Sequence, residues 1–381
     1  VLAQFIAGGR GLEAVAGVSY PVALAVAIGV IVLYTYLGGY LAVAYTDFVQ
    51  AIIMLIGMMW ILIATLQAVG GLGQGNLSIA ELDPTLLTMW GRDLAFHGQW
   101  GIIVGALLIF SIGYMGWPHV VVSHMAMKRP SVARRAGAYS LLFNLLFIPG
   151  PYLVGLFALL LVPALVNPEM AVFAVAEQVL PPFAVGIVMA AIMAAIMSTA
   201  DALLLQSGTI ASQDIYARFI NMNMSERQMV WVSRFIVLAL AVIGYVIAVV
   251  EPPAVARVVI FSTTVLGSAF VPAYVCAVWW KKANTAGAIA SMLVGTFSSV
   301  IWELAGMPAA TGLDPMVIGI VSSTAAIVLV SLATQRVNPV PERILLALRE
   351  TAKIWPIPAS LRAGQAHSLS AQADVIARGN S

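Results

Sequence analysis

Nine long apolar runs dominate this 381-residue chain and restrict what it can fold into. A helix needs about 20 predominantly apolar residues to cross a lipid bilayer. The runs predict transmembrane spans at residues 21–37, 44–67, 100–118, 137–162, 180–212, 229–249, 258–280, 284–302 and 316–334. A shorter apolar stretch over residues 1–8 predicts the end of one more helix. Only 9% of the residues are charged, against about 25% in soluble domains, so the sequence predicts an all-α polytopic membrane protein.

The basic residues follow the alternation of these spans. With the N-terminal loop placed outside, only Arg10, Arg92 and Arg257 fall on the outer side, which leaves 15 of the 18 basic residues inside. Lys and Arg concentrate on the cytoplasmic side of membrane proteins. We therefore predict a plasma-membrane protein with a transmembrane domain over residues 1–335. Residues 336–381 are predicted to form a basic, partly disordered cytoplasmic tail, with a short amphipathic helix at 341–353.

Several function classes are excluded by what the sequence lacks. A single cysteine, Cys276, provides neither a disulfide framework nor a thiolate metal site. The sequence contains no phosphate-binding glycine loop and no His-Glu zinc motif. It therefore predicts that this chain does not itself use ATP to drive transport. The basic residues form no patch for nucleic acid. A hydrolase built on Ser198 would need a histidine, and the span of Ser198 contains none, so we predict that the chain is not an enzyme.

The span at 180–212 carries the strongest functional signal. Ser198 and Thr199 are adjacent hydroxyls, and the backbone carbonyl of Ala195 lies one helical turn before Ser198. These three oxygens can form part of a site for a hard cation such as sodium. The alternative is that both hydroxyls bond back to carbonyls of their own helix. Asp201 favours the cation site, because a carboxylate inside the bilayer costs about 2.5–3.5 kcal/mol and needs a cation, a proton or a polar cavity.

Two other segments carry polar or irregular features. Asp47 begins the span at 44–67, where it is either a helix cap or a second acidic group near the cation route; both roles can hold. Gly113, Gly116 and Pro118 favour a break in the span at 100–118. Transporters build substrate sites at such breaks, although an ordinary packing kink is the alternative. The aromatic residues Phe110 and Tyr114 recur at the helical spacing that ends at Pro118, which predicts one shared face.

Three segments carry a resemblance to one family. Residues 38–50 (Gly-Gly-Tyr-Leu-Ala-Val-Ala-Tyr-Thr-Asp-Phe-Val-Gln), residues 113–119 (Gly-Tyr-Met-Gly-Trp-Pro-His) and the run that begins Ala-Ala-Ile-Met-Ser-Thr at 194–199 stand in the order and spacing of its signatures. The chain resembles the sodium:solute symporter family over roughly residues 1–335. That family includes proline, pantothenate, sugar and monocarboxylate carriers.

The resemblance implies a fold and a set of site residues. The fold would be a LeuT-type bundle of two inverted repeats, present in part, since this chain would begin late in the third core helix. The first core helix, which supplies half of the main sodium site, would be absent. Ala195, Ser198 and Thr199 would supply the other half, Asp201 a ligand of a second sodium, and Asp47 an acid important for sodium. The solute pocket would be lined by Phe110, Tyr114, Trp117 and Pro118.

The predicted function is sodium-coupled symport of a small organic solute such as pantothenate, an amino acid or a monocarboxylate. Its partners would be Na⁺, the solute and the lipid bilayer. Phe110 and Trp117 differ from the residues of proline carriers, which argues against proline. The stretch Val179-Leu-Pro-Pro-Phe183 and the Leu-Leu-Gln at 204–206 after Asp201 resemble pantothenate-type carriers more closely. Two alternatives stay open: a proton-coupled carrier with Asp201 as the proton site, and a membrane sensor module. The short tail at 336–381 has no catalytic pattern, which argues against the sensor.

Overall fold

The fold is described from a computed structural model that covers residues 1–125, 127, 130–250 and 254–340. Throughout these residues the chain forms helices and connecting segments and contains no strand. It divides into two compact units. The first comprises Val1–Thr264 with Gly306–Asp314, and the second comprises Val265–Ala305 with the segment from Pro315 onward.

Most helices belong to the first unit. They are α1 Leu2–Ala16, α2 Tyr20–Ala68, α3 Leu72–Leu82, α4 Trp100–Ser111, α5 Pro118–Met125, α6 Pro130–Phe147, α7 Pro149–Leu161, α8 Ala171–Val179, α9 Pro182–Thr209, α10 Glu226–Val250 and, further along the chain, α13 Met307–Thr311. A π-helix, Ile210–Ile220, continues α9, and short 3₁₀ turns occupy Pro84–Leu87, Arg92–Leu94, Gly113–Gly116 and Pro168–Met170. α11, Val255–Trp279, begins in the first unit and ends in the second, which also contains α12 Thr285–Leu304 and α14 Pro315–Thr334.

Seven helical segments of the described residues are long and apolar enough to cross a membrane, and they correspond to seven of the nine predicted spans. They are Ala42–Ala68, Ser131–Leu161, Pro182–Ile220, Glu226–Val250, Val255–Trp279, Thr285–Leu304 and Pro315–Thr334. The predicted span at 21–37 pairs instead with α1, across a bend of 116°. The span at 100–118 is broken, because α4 ends at Ser111. The fold class is nevertheless the predicted one, an all-α polytopic bundle.

The long helix α2 is interrupted at one glycine. Gly39 has φ 65° and ψ −175°, a backbone conformation that glycine adopts without steric cost. The interruption falls between the predicted spans at 21–37 and 44–67. Asp47 lies eight residues beyond it, within the following helix. The predicted capping role of Asp47 is therefore wrong, because the helix begins well before this residue.

Large apolar side chains and small residues together build the interior of the first unit. Phe5, Leu24 and Leu204 are fully buried where α1, α2, α9 and α10 meet. Gly57 of α2 faces Ala191 of α9 so closely that an added Cβ would overlap the alanine side chain. Such close approaches are typical of helix packing in membranes, where dispersion contacts rather than hydrophobic exclusion hold helices together. The contact fixes α2 against the helix that carries Ser198 and Thr199.

Serine hydroxyls pair α12 with α14 in the second unit. Ser291 and Ser323 lie 2.7 Å apart, oxygen to oxygen, and Ser298 and Ser322 are separated by the same distance. At the start of α12, the Asn284 side chain accepts from the Gly287 N–H and donates to the Thr334 hydroxyl, both at 2.9 Å. These hydrogen bonds satisfy polar groups that cannot bond to water inside a bilayer. The predicted amphipathic helix at 341–353 lies outside the described residues, and the division at residue 335 stays a prediction.

Candidate functional site

Three oxygen atoms meet on one side of α9. The Ser198 hydroxyl donates to the carbonyl oxygen of Ala195 at 3.1 Å, and the Thr199 hydroxyl donates to the same oxygen at 3.2 Å. The structure thus contains the back-bonding that was the alternative to a cation site. The same bonds bring together the three oxygens that the cation site requires. Each hydroxyl has only one proton to donate and keeps its lone pairs, so the group can still accept a cation.

Two carboxyl groups, one on α2 and one on α9, lie near enough to interact electrostatically. Asp201 is fully buried, and its Oδ1 accepts from the Ala202 N–H at 2.7 Å. Its Oδ2 has no hydrogen-bond partner among the described residues, and neither has Oδ1 of Asp47. The Asp47 carboxyl lies close enough to Asp201 for two negative charges to repel each other. Asp201 is buried and Asp47 half-buried, and a proton or a cation beside the two groups would remove the repulsion between them.

Tyr34 connects this acidic pair to α9. Its hydroxyl donates to the carbonyl oxygen of Met197 at 3.1 Å and lies beside the Asp201 carboxyl. Gln50 lies near the same hydroxyl, and its buried Oε1 has no partner among the described residues. Three elements therefore converge: the first half of α2, the second half of α2 and α9. Tyr34 and Gln50 are not among the site residues predicted from the sequence, although both are polar residues within or at the edge of apolar runs.

A cavity of about 940 Å³ reaches Asp47 of the acidic pair but not Asp201. It is bounded by α2, α5, α9, the π-helix and α10, and Asp47 lies in its wall. Other polar groups in the wall include His119, Gln206, Thr209 and Arg234. Ala195, Ser198 and Thr199 do not line it. The cavity lies at the ends of the spans that the distribution of basic residues predicts to face the cytoplasm.

The predicted break in the fourth helix is present. α4 ends at Ser111, a 3₁₀ turn occupies Gly113–Gly116 and α5 begins at Pro118. Since the α-helix ends before Tyr114, the four-residue spacing does not give Phe110, Tyr114 and Pro118 a common helical face, and that prediction is wrong. Phe110 and Tyr114 are 51% and 38% exposed.

Aromatic contacts organise the segment after the break. The Trp117 ring lies 5.4 Å from that of Tyr114 and 5.2 Å from that of His119, centroid to centroid. Trp117 is buried, and its indole N–H has no acceptor among the described residues. α5 contacts α9, which brings this segment to the helix of the oxygen cluster. Its role in solute binding stays a prediction.

The chain is similar in sequence to one family of transporters and to several of its members. The profile of the sodium:solute symporter family matches residues 1–295. The osmoregulated proline transporter OpuE of Bacillus subtilis is 31% identical over 335 residues, which cover 87% of this chain and 67% of that protein. The sodium/pantothenate symporter of Haemophilus influenzae is 32% identical over 305 residues, with 80% and 63% covered. The sodium/proline symporter of Escherichia coli is 29% identical over 335 residues, with 86% and 65% covered.

A solved structure shares the fold. It is a Na⁺-coupled sialic acid symporter in a substrate-bound outward-open state, which matches with a TM-score of 0.65 at 18% identity. The match covers 87% of this chain and 72% of that one. This similarity confirms the predicted LeuT-type helical bundle. The chain spans about two thirds of the length of the relatives that it matches.

Proposed function

The chain belongs to the sodium:solute symporter family, and from this we propose that it couples the inward flow of sodium to the uptake of a small carboxylate-bearing solute. The observation that carries the proposal is the oxygen cluster of Ala195, Ser198 and Thr199, with its two hydroxyls 3.1 and 3.2 Å from one carbonyl oxygen. A hard cation prefers oxygen ligands of this kind. Proline and pantothenate, the solutes named for the relatives, both carry a carboxylate.

Asp47 and Asp201 would hold positive charge at a second position. Each has one buried carboxylate oxygen without a partner among the described residues, so the pair is costly when both groups are ionised. A sodium ion near them would remove the repulsion between the two carboxylates and stabilise the contact between α2 and α9. In this way binding of sodium would favour one arrangement of the helices that surround the cavity.

The solute would bind at the broken helix, close to Tyr114, Trp117 and Pro118, with Phe110 at the end of α4. Irregular backbone at membrane depth is tolerated beside a cavity and offers groups that an intact helix cannot. At a membrane potential of about 100 mV, each charge that moves inward contributes about 2.3 kcal/mol. That energy would drive accumulation of the solute in the cytoplasm. The basic tail would lie on the same side.

Proton coupling is the second candidate, and the proximity of Asp47 and Asp201 favours it. A buried carboxyl group and a half-buried neighbour can share one proton as readily as they can hold a cation. In that case, uptake would follow the pH gradient and would not depend on sodium. The residues of the oxygen cluster would then have only a structural role.

Transport by the protein in proteoliposomes tests the proposal. Uptake of radiolabelled pantothenate, proline and lactate is measured under an inward sodium gradient, under an inward choline gradient at constant pH, and under an inward proton gradient without sodium. We expect at least one solute to accumulate only with sodium. Accumulation that follows the proton gradient and is equal in sodium and choline would instead select the proton-coupled carrier.

A further inference from the structure

Arg234 holds a fixed positive charge in the wall of the cavity. It lies on α10, and its guanidinium carbon is 4.6 Å from the centroid of the Tyr36 ring and 5.6 Å from that of Trp231. A cation over an aromatic face is held in place while its charge remains available. Because Tyr36 belongs to α2 and Trp231 to α10, the guanidinium is positioned between two helices.

This charge has no counter-ion among the described residues. No carboxylate oxygen in that part of the chain lies within 4.0 Å of Arg234. Asp47 and Glu226 line the same cavity, and neither forms an ion pair with it. Arg218 differs, since it lies 3.7 Å from Asp214 on the π-helix. An uncompensated charge in a half-enclosed, low-dielectric wall attracts ions of opposite sign more strongly than an exposed one does.

Neutral polar groups surround the same space. The amides of Gln206 and Gln213 and the hydroxyl of Ser233 line the cavity with Arg234. A guanidinium presents a planar fork of donors that matches the two oxygens of a carboxylate. The amides can complete such a site by donating to the same oxygens or by binding the rest of a polar organic molecule. The cavity, at about 940 Å³, accommodates a small solute with room to spare.

We propose that this cavity is a second binding position for the transported solute, in which Arg234 receives its carboxylate on the cytoplasmic side. The inference rests on the proposed function, because it takes the solute and the direction of transport from it. It adds the residue that recognises the carboxylate on the cytoplasmic side: Arg234 selects for that group during release. An alcohol or amide analogue lacks the negative charge and would not be retained there.

The test compares the two faces of the membrane. Transport of pantothenate and its alcohol analogue panthenol, and of proline and prolinamide, is measured in right-side-out and in inside-out membrane vesicles with sodium on both sides. Arg234→Gln is compared with the native protein, with Arg234→Lys and with Arg227→Gln. Arg227 is a matched control, because it is an exposed arginine on the same helix.

In Arg234→Gln, we expect the preference for the carboxylate over its analogue to fall about tenfold or more at the cytoplasmic face. At the outer face the preference should change less than twofold. Arg234→Lys keeps the charge, so it should retain most of the preference, and Arg227→Gln should retain all of it. An equal fall at both faces, an unchanged preference in Arg234→Gln, or an equal effect of Arg227→Gln would overturn the proposal.

Binding by the purified protein separates this inference from the proposed function. Equilibrium binding of radiolabelled pantothenate and panthenol to the purified protein in detergent measures the preference for the carboxylate without any transport. If no vesicle shows sodium-stimulated uptake, the proposed function fails, and this binding titration still decides the role of Arg234. Equal affinity for pantothenate and panthenol in the native protein would then refute the inference. If Arg234→Gln does not fold, the titration of Arg234→Lys is compared with that of the native protein instead. Arg234→Lys keeps the positive charge, so loss of all preference for pantothenate over panthenol in this variant would contradict the inference.

Discussion

The Tyr34 hydroxyl donates to the backbone carbonyl of Met197, 3.1 Å away and 163 residues along the chain. This bond joins α2 to α9 one residue before Ser198, and the same hydroxyl lies beside Asp201. A single phenol thus positions the helix that carries the oxygen cluster and adjoins the acidic pair. Sodium affinity and the packing of α2 on α9 are therefore expected to change together.

Tyr34→Phe should lower the stability of the protein and its affinity for sodium together. Removing the hydroxyl leaves the ring in place and leaves the Met197 carbonyl without this donor, which costs about 0.5–1.5 kcal/mol of stability. We also expect a higher sodium concentration for half-maximal uptake. Thermal unfolding in detergent and a sodium titration of uptake measure the two effects. Tyr139→Phe is the control, because Tyr139 is 71% exposed. Equal melting temperatures and equal sodium dependence in the two variants would show that the Tyr34 hydroxyl contributes to neither effect.

Asp201→Asn tests the acidic pair. The substitution preserves the shape of the buried side chain and removes its charge, so repulsion from Asp47 disappears. We expect the variant to melt at a higher temperature than the native protein in choline chloride. The rise in melting temperature on adding sodium should become smaller but persist, because the oxygen cluster on α9 is intact.

Asp214→Asn is the matched control for that experiment. Asp214 lies in the same span as Asp201, but it is exposed and lies 3.7 Å from Arg218. Its replacement should leave the sodium-induced shift unchanged. A full native shift in Asp201→Asn would show that Asp201 takes no part in binding sodium.

Gly57→Val tests the close contact of α2 with α9. A side chain at Gly57 would overlap Ala191, whereas nothing lies within 4 Å of a Cβ added at Gly186 on α9. Overpacking of this kind costs about 1–3 kcal/mol. We expect Gly57→Val to lower the melting temperature and to weaken sodium-dependent uptake, while Gly186→Val does neither. Equal tolerance of both substitutions would contradict the packing described here.

The sequence predicts the features that depend on local spacing. Apolar runs locate the seven long spans, and the helical repeat brings the Ala195 carbonyl to the hydroxyls of Ser198 and Thr199. It does not predict the positions of Tyr34 and Arg234, because their contacts join helices that are distant along the chain. The i, i+4 rule failed from Phe110 to Pro118 since the glycines there end the α-helix and replace it with a 3₁₀ turn. The capping prediction for Asp47 fails because its helix begins several residues before the apolar run at 44–67 does.

The double substitution Ser198→Ala with Thr199→Ala tests the central claim most directly, with Ser207→Ala as its control. Ser207 lies on the same helix and donates to the Leu203 carbonyl at 2.8 Å, so the control loses a similar hydroxyl bond away from the cluster. The measurement is the initial rate of solute uptake as a function of sodium concentration in proteoliposomes. We predict that the double variant loses the sodium-dependent component while Ser207→Ala retains it. Undiminished sodium dependence in the double variant would contradict the account.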